Sequence, residues 1–129
     1  TPIEALENLT MFIASNNVIE DATALKNLHK LTFVNLSDNP LESIDFAKEL
    51  SNLDRLQISD TNVSDLTPLA NTKNLYYLDI RGTKVTSVQP LVGLTNLKYV
   101  LLNKETVEDW TLLEKDNGPI ISEITILAE

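Results

Sequence analysis

The sequence predicts an α/β solenoid. One parallel sheet should line the concave side of a right-handed superhelix, and short 3-10 or helical turns should fill its convex side. Two observations carry that prediction. A unit of 22 residues recurs without a gap, its opening position falling on Leu6, Leu28, Leu50, Thr72 and Leu94. A fixed period between about 20 and 50 residues marks a chain built from stacked coils. Each unit also repeats one apolar spacing, L-x-x-L-x-L-x-x-N/T, as in Leu31, Val34, Leu36, Asn39, then Leu53, Leu56, Ile58, Thr61, then Leu75, Leu78, Ile80, Thr83.

The units run Leu6–Asn27, Leu28–Glu49, Leu50–Asn71, Thr72–Gly93 and Leu94–Lys115. Residues 1–5 read as the tail of a preceding unit, because Pro2-Ile3 stand in phase with Pro68-Leu69 and Pro90-Leu91. After Lys115 the pattern breaks at Asn117-Gly118-Pro119, a loop signal. It resumes as Ile121, Ile124 and Ile126, so 116–129 reads as a terminal loop and a strand over Ile121–Leu127. The whole reads as one domain, 1–129, opening in mid-repeat as a piece of a longer protein.

Within each unit, alternation places a short strand at Phe12–Ala14, Val34–Leu36, Leu56–Ile58, Leu78–Ile80 and Val100–Leu102. Stacked in parallel about 4.8 Å apart, these strands align their inward leucines in columns. One coil cannot bury its apolar side alone, so stability accumulates between neighbours. The position after the strand reads Asn17, Asn39, Thr61, Thr83, Glu105. There an amide can both donate to and accept from the turning backbone, and a Thr hydroxyl does part of that work. An ionised Glu can only accept, so this ladder should loosen in the fifth unit. The return side carries Asp21, Ser43, Asp65, Ser87 and Asp109, residue types that cap helical turns. Pro68 and Pro90 follow them and suit a first turn.

Composition narrows the function classes. Hydrophobic residues make up 43 % of 129, enough for a core, and no apolar run has the length of a membrane span. Cysteine is absent, which removes disulfide and zinc–thiolate chemistry. A net charge of −9 argues against nucleic acid or an anionic membrane as partner. No constellation for catalysis, cofactor or metal is visible. The one histidine, His29, lies in a turn, and the three glycines, Gly82, Gly93 and Gly118, stand apart and form no phosphate loop. Asp38 and Asp60 share a column, but two carboxylates fall short of the six to eight oxygens calcium takes.

The unit is a leucine-rich repeat. The Asn-Leu pairs at the start of the strands (Asn8-Leu9, Asn52-Leu53, Asn74-Leu75, Asn96-Leu97), the period, and the segments Asp65-Leu66-Thr67-Pro68-Leu69 and Ser87-Val88-Gln89-Pro90-Leu91 resemble the bacterial internalin-type repeat. It is similar to the subclass found in eukaryotic phosphatase regulators. The resemblance implies a curved protein-binding scaffold, and in internalins a domain displayed on the bacterial surface.

A partner-binding face follows from the outward strand positions. Met11, Phe33, Arg55, Tyr77 and Tyr99 form one column, with Tyr76 beside it, where the scaffold requires nothing large. Asp79, Arg81 and Leu101 lie further across. Aromatics and Arg are the types that protein interfaces enrich. Ordinary cross-strand packing would account for part of the same pattern. The concave columns carry four acids (Asp38, Asp54, Asp60, Asp79) and four bases (Arg55, Arg81, Lys98, Lys104). The net negative charge therefore belongs to the edges and the convex side. The expectation is a non-enzymatic module that binds a partner protein through its concave face and belongs to a bacterial surface or secreted protein. The alternatives are a cytoplasmic adaptor or regulatory subunit, and a recognition domain attached to an enzyme elsewhere in its parent chain.

Overall fold

The computed structural model describes residues 8–114. Five strands, β1 (Met11–Ile13), β2 (Phe33–Asn35), β3 (Arg55–Gln57), β4 (Tyr77–Asp79) and β5 (Tyr99–Leu101), form one parallel sheet in chain order. Their register is the repeat itself: Met11 pairs with Phe33, Phe33 with Arg55, Arg55 with Tyr77 and Tyr77 with Tyr99. Among the described residues, 3-10 turns occupy the return side at Thr23–Asn27, Asp45–Glu49, Thr67–Leu69, Gln89–Leu91 and Trp110–Glu114. The tail at 1–5, the opening position Leu6, and the loop and terminal strand within 116–129 lie outside the described residues.

Each strand begins one residue earlier than alternation places it. The expected residues do join the ladder, since Ala14 N–H donates to Asn35 O and Leu36 N–H to Gln57 O. The regular strand ends there because the chain turns sharply two residues later, with φ of 60° at Asn16 and Asp38, 54° at Asp60 and 67° at Gly82. Asn, Asp and Gly tolerate this left-handed region best, which explains the residue types of that column. Sequence reading placed the column on the sheet face, whereas it is the corner at which each coil leaves the sheet.

The L-x-x-L spacing also has a backbone cause. Leu28 N–H donates to Leu25 O and Leu31 N–H to Leu28 O, and the same steps recur through Ala47, Leu50 and Leu53 and through Leu69, Thr72 and Leu75. Residues three apart eclipse one another in such turns, so all of these side chains point inward. Thr72 replaces a leucine at this point and is 1 % exposed. Its hydroxyl donates to Leu69 O at 2.6 Å, so nothing polar is left unsatisfied.

Leucine, isoleucine and valine from successive coils fill one continuous core, with Leu31, Leu53 and Leu75 wholly buried. In the first coil Leu9, Phe12, Ala14 and Ile19 are only partly buried. The turn ladder binds the coils together. Asn39 Nδ2 donates to Ala14 O of the coil before and to Leu36 O and Ser37 O of its own. Asn39 Oδ1 accepts from the N–H groups of Asn17 and Ile19. Thr61 and Thr83 donate only to Ile58 O and Ile80 O, so the ladder thins from the third unit onward, and in the fifth Glu105 is exposed.

On the return side the Asp/Ser column caps from one residue before the position that flanks each turn. Asp21 Oδ1 accepts from the Thr23 N–H and hydroxyl, and Asp65 Oδ1 from those of Thr67. Ser43 and Ser87 accept from Asp45 N–H and Gln89 N–H. Asp109 instead reaches back a coil, accepting from the Ser87 hydroxyl at 2.6 Å and from Val88 N–H at 2.9 Å. Pro68 and Pro90 sit within the first two positions of their turns. Trp110 packs half-buried against the core, with Lys104 Nζ 4.3 Å from its ring centroid.

Candidate functional site

The parallel register turns one sequence position into a row. Met11, Phe33, Arg55, Tyr77 and Tyr99 lie side by side across all five strands on the open face of the sheet. Neighbours at strand spacing, about 4.8 Å, are close enough to stack. The Arg55 guanidinium carbon lies 5.3 Å from the Phe33 ring centroid and 4.7 Å from that of Tyr77, so a cation is held between two rings. Tyr99 continues the stack, 6.1 Å from Tyr77 and in an edge-on contact at 5.4 Å with Tyr76. Arg55 and Tyr76 are exposed, Met11 is 54 % exposed, and Phe33, Tyr77 and Tyr99 are half-buried.

The column two residues on behaves differently. Ile13 is 58 % exposed, but Asp79 is 1 % and Leu101 9 % exposed. Asp79 is a bonding hub: its Oδ1 accepts from the Arg81 backbone N–H and Nε, and its Oδ2 from Arg81 Nη2 at 2.7 Å. The expectation that Asp79 and Leu101 offer side chains to a partner is therefore corrected; they form the floor beside the row. Two strands away, Asn35 Oδ1 accepts the equivalent bond from Ser37 N–H. Ser59 Oγ donates in turn to Ser37 Oγ at 2.9 Å. This part of the face is stitched to itself.

On the other side of the row runs a groove of about 880 Å³, from Thr10 and Lys30 past Asp54 and Tyr76 to Lys98. Its wall contains the asparagines that precede the strand-start leucines. Asn52, Asn74 and Asn96 donate through Nδ2 to the carbonyls of His29, Ser51 and Lys73 in the preceding coil. These asparagines form a second inter-coil ladder. Among the described residues no group of three or more His, Asp or Glu is placed to hold a metal ion, and no helix is long and apolar enough to cross a membrane.

Sequence reasoning named the members of the row but missed the Phe33–Arg55–Tyr77 sandwich. The signal was available: an arginine flanked at plus and minus 22 by aromatic residues. It also missed the groove, because the groove arises from short side chains (Thr10, Thr32, Asp54) beside tall ones, which a list of apolar positions does not reveal.

A profile of leucine-rich repeats (two copies) matches residues 7–49, the first two units. The fold across the described residues is that of a leucine-rich-repeat solenoid, and solved structures of that kind superpose on it. An internalin (inlF) from Listeria monocytogenes has a TM-score of 0.81 at 22 % identity, over 96 % of this chain and 36 % of its own. A leucine-rich-repeat protein of Leptospira interrogans has a TM-score of 0.78 at 23 % identity, over 97 % of this chain and 33 % of its own. Internalin C2 from Listeria monocytogenes has a TM-score of 0.57 at 24 % identity, over 97 % of this chain and 74 % of its own. The chain thus spans about a third of the length of the first two. No curated protein sequence matches it. At these identities the likeness concerns the fold.

Proposed function

We propose that this chain is a recognition module that binds a partner protein through the concave face of its sheet. Met11, Phe33, Arg55, Tyr77 and Tyr99 supply the contact row, and Tyr76 supplies its shoulder over the groove. Arg81 borders the contact area, held in place by Asp79, while Leu101 supports it from below. One observation carries the reading: five large side chains stand in a single row in register with Tyr76 beside them, whereas the following columns are bonded internally at Asp79–Arg81 and Ser37–Ser59. Rigid, pre-stacked rings and an arginine bind with little loss of side-chain freedom, which is what hot spots require.

The likeness to Listeria and Leptospira proteins supports a place in a bacterial surface or secreted protein of internalin-like kind. Surface labelling of intact cells of the source organism, compared with lysed cells, tests that placement; labelling only after lysis would favour a cytoplasmic adaptor.

The binding claim is tested by quantitative pull-down with the natural protein, with Tyr77→Ala/Tyr99→Ala, and with a change of similar size on the return side, such as Lys48→Ala/Glu49→Ala. Proteins retained by the natural chain and by the return-side variant, yet lost from the tyrosine variant, support the concave face. Loss from the return-side variant alone would overturn it.

A further inference from the structure

We infer that Arg55 is the anchor for a carboxylate, so that the partner presents an Asp or Glu side chain flanked by an apolar or aromatic residue. This deepens the concave-face reading and rests on it. Two arginines on the same sheet face provide an internal comparison. Arg81 has its fork filled from within the chain, Nε on Asp79 Oδ1 at 2.9 Å and Nη2 on Asp79 Oδ2 at 2.7 Å. Arg55, on the central strand, is held differently. Its guanidinium carbon lies over the Phe33 ring on one neighbouring strand and over the Tyr77 ring on the other, and among the described residues no acceptor reaches its N–H groups.

A cation lying between two rings along the strand-to-strand direction is open to approach from the solvent side, where its N–H groups have no acceptor. The group that fits a planar fork in that direction is a carboxylate, through two parallel N–H···O bonds. The flanking rings partly dehydrate the site and strengthen those bonds. They also offer apolar surface to whatever residue follows the acid, over Tyr77 and Tyr99 on one side and over Phe33 and Met11 on the other. Asp79, two residues beyond Tyr77 on the neighbouring strand, is already paired with Arg81, so it does not compete with an incoming carboxylate. A phosphate would fit the fork too, but its extra charge meets a chain of net charge −9.

The test is selection from a display library of random linear peptides against the natural protein. Enriched peptides should share an Asp or Glu next to an apolar or aromatic residue. Arg55→Met should weaken their binding at least about tenfold. Arg55→Lys should weaken it nearly as much, because a point charge lacks the fork. Thermal melts should show both variants folded, with no more than the small loss expected from removing a cation that lies between two rings. Enriched peptides without a shared acid, or acidic peptides that bind Arg55→Met unchanged, would overturn the inference. Peptides sensitive to Tyr77→Ala/Tyr99→Ala but indifferent to Arg55 would sink the anchor and leave the concave-face reading standing. Peptides indifferent to both sets of changes, or no enrichment at all, would count against both.

Discussion

The Arg55 guanidinium sits 4.7 Å from the centre of the Tyr77 ring, one strand away, so the row proposed as the contact surface also ties β3 to β4. Tyr77 stacks on Tyr99 as well, at 6.1 Å. A cation over an exposed ring contributes about 0.5–1 kcal/mol, and an aromatic pair about 0.5–1.5 kcal/mol. Tyr77→Ala should therefore destabilise the chain by roughly 1–2 kcal/mol. Urea denaturation checks it, and Tyr77→Phe, which keeps the ring and both of its contacts, should lose little of that stability.

Asn39 should be the most sensitive polar position. Its side chain makes five bonds to backbone and is 4 % exposed. Removing it strands partly or wholly buried N–H and C=O groups on two coils, each costing about 1–3 kcal/mol. Asn39→Ala should cost roughly 3 kcal/mol or more, whereas exposed Asn17→Ala should cost less than about 1 kcal/mol. Equal losses in denaturant melts of the two variants would contradict the ladder.

Gly82 is required at its corner for two reasons. Its φ is +67°, and a Cβ there would stand 2.2 Å from Asp60 Oδ1. Gly82→Ala should cost about 1–2 kcal/mol, part of it from the left-handed backbone and part from displacing Asp60. In an Asp60→Gly background the second part disappears. A double-mutant cycle should therefore show a positive coupling, and strict additivity would count against the contact.

Acid should loosen the return side at two defined points. Hydrogen bonds from the Thr23 hydroxyl and N–H hold the Asp21 carboxyl below its ordinary value, and those from Thr67 do the same for Asp65. A carboxylate whose folded pKa is depressed contributes stability above its unfolded pKa and loses it as pH falls through the folded one. The contribution is therefore complete at neutral pH and disappears only below the usual carboxylate range. Side-chain carboxyl carbon shifts followed by NMR should show both groups titrating late. Thr23→Val and Thr67→Val should bring each only part of the way back, because the backbone N–H still donates to the carboxylate.

Much of this architecture is legible from spacing alone. The period fixed the register, because parallel coils of equal length must pair residues one unit apart, and Leu31, Leu53 and Leu75 could have no other role. The offset of the strands was not legible, since alternation reports which side chains point inward and not where φ changes sign at Asn16 and Asp38. Within the row, residue types identified the members, but the fate of each polar group depended on its bonding partner. Asp79 and Arg81 are adjacent outward positions in the alternation, and only coordinates show that one is buried by the other. The strand-start asparagines carry the same lesson. They read as a family hallmark, and the structure gives the reason, a side-chain amide donating to the carbonyl of the coil before.

The central claim is that partners meet the aromatic row. A photoreactive benzoylphenylalanine at position 76 and another at position 48, on the opposite side, test it most directly against a bound partner. The account predicts cross-linking from position 76 and none from position 48. Cross-linking from position 48 with position 76 silent would contradict it.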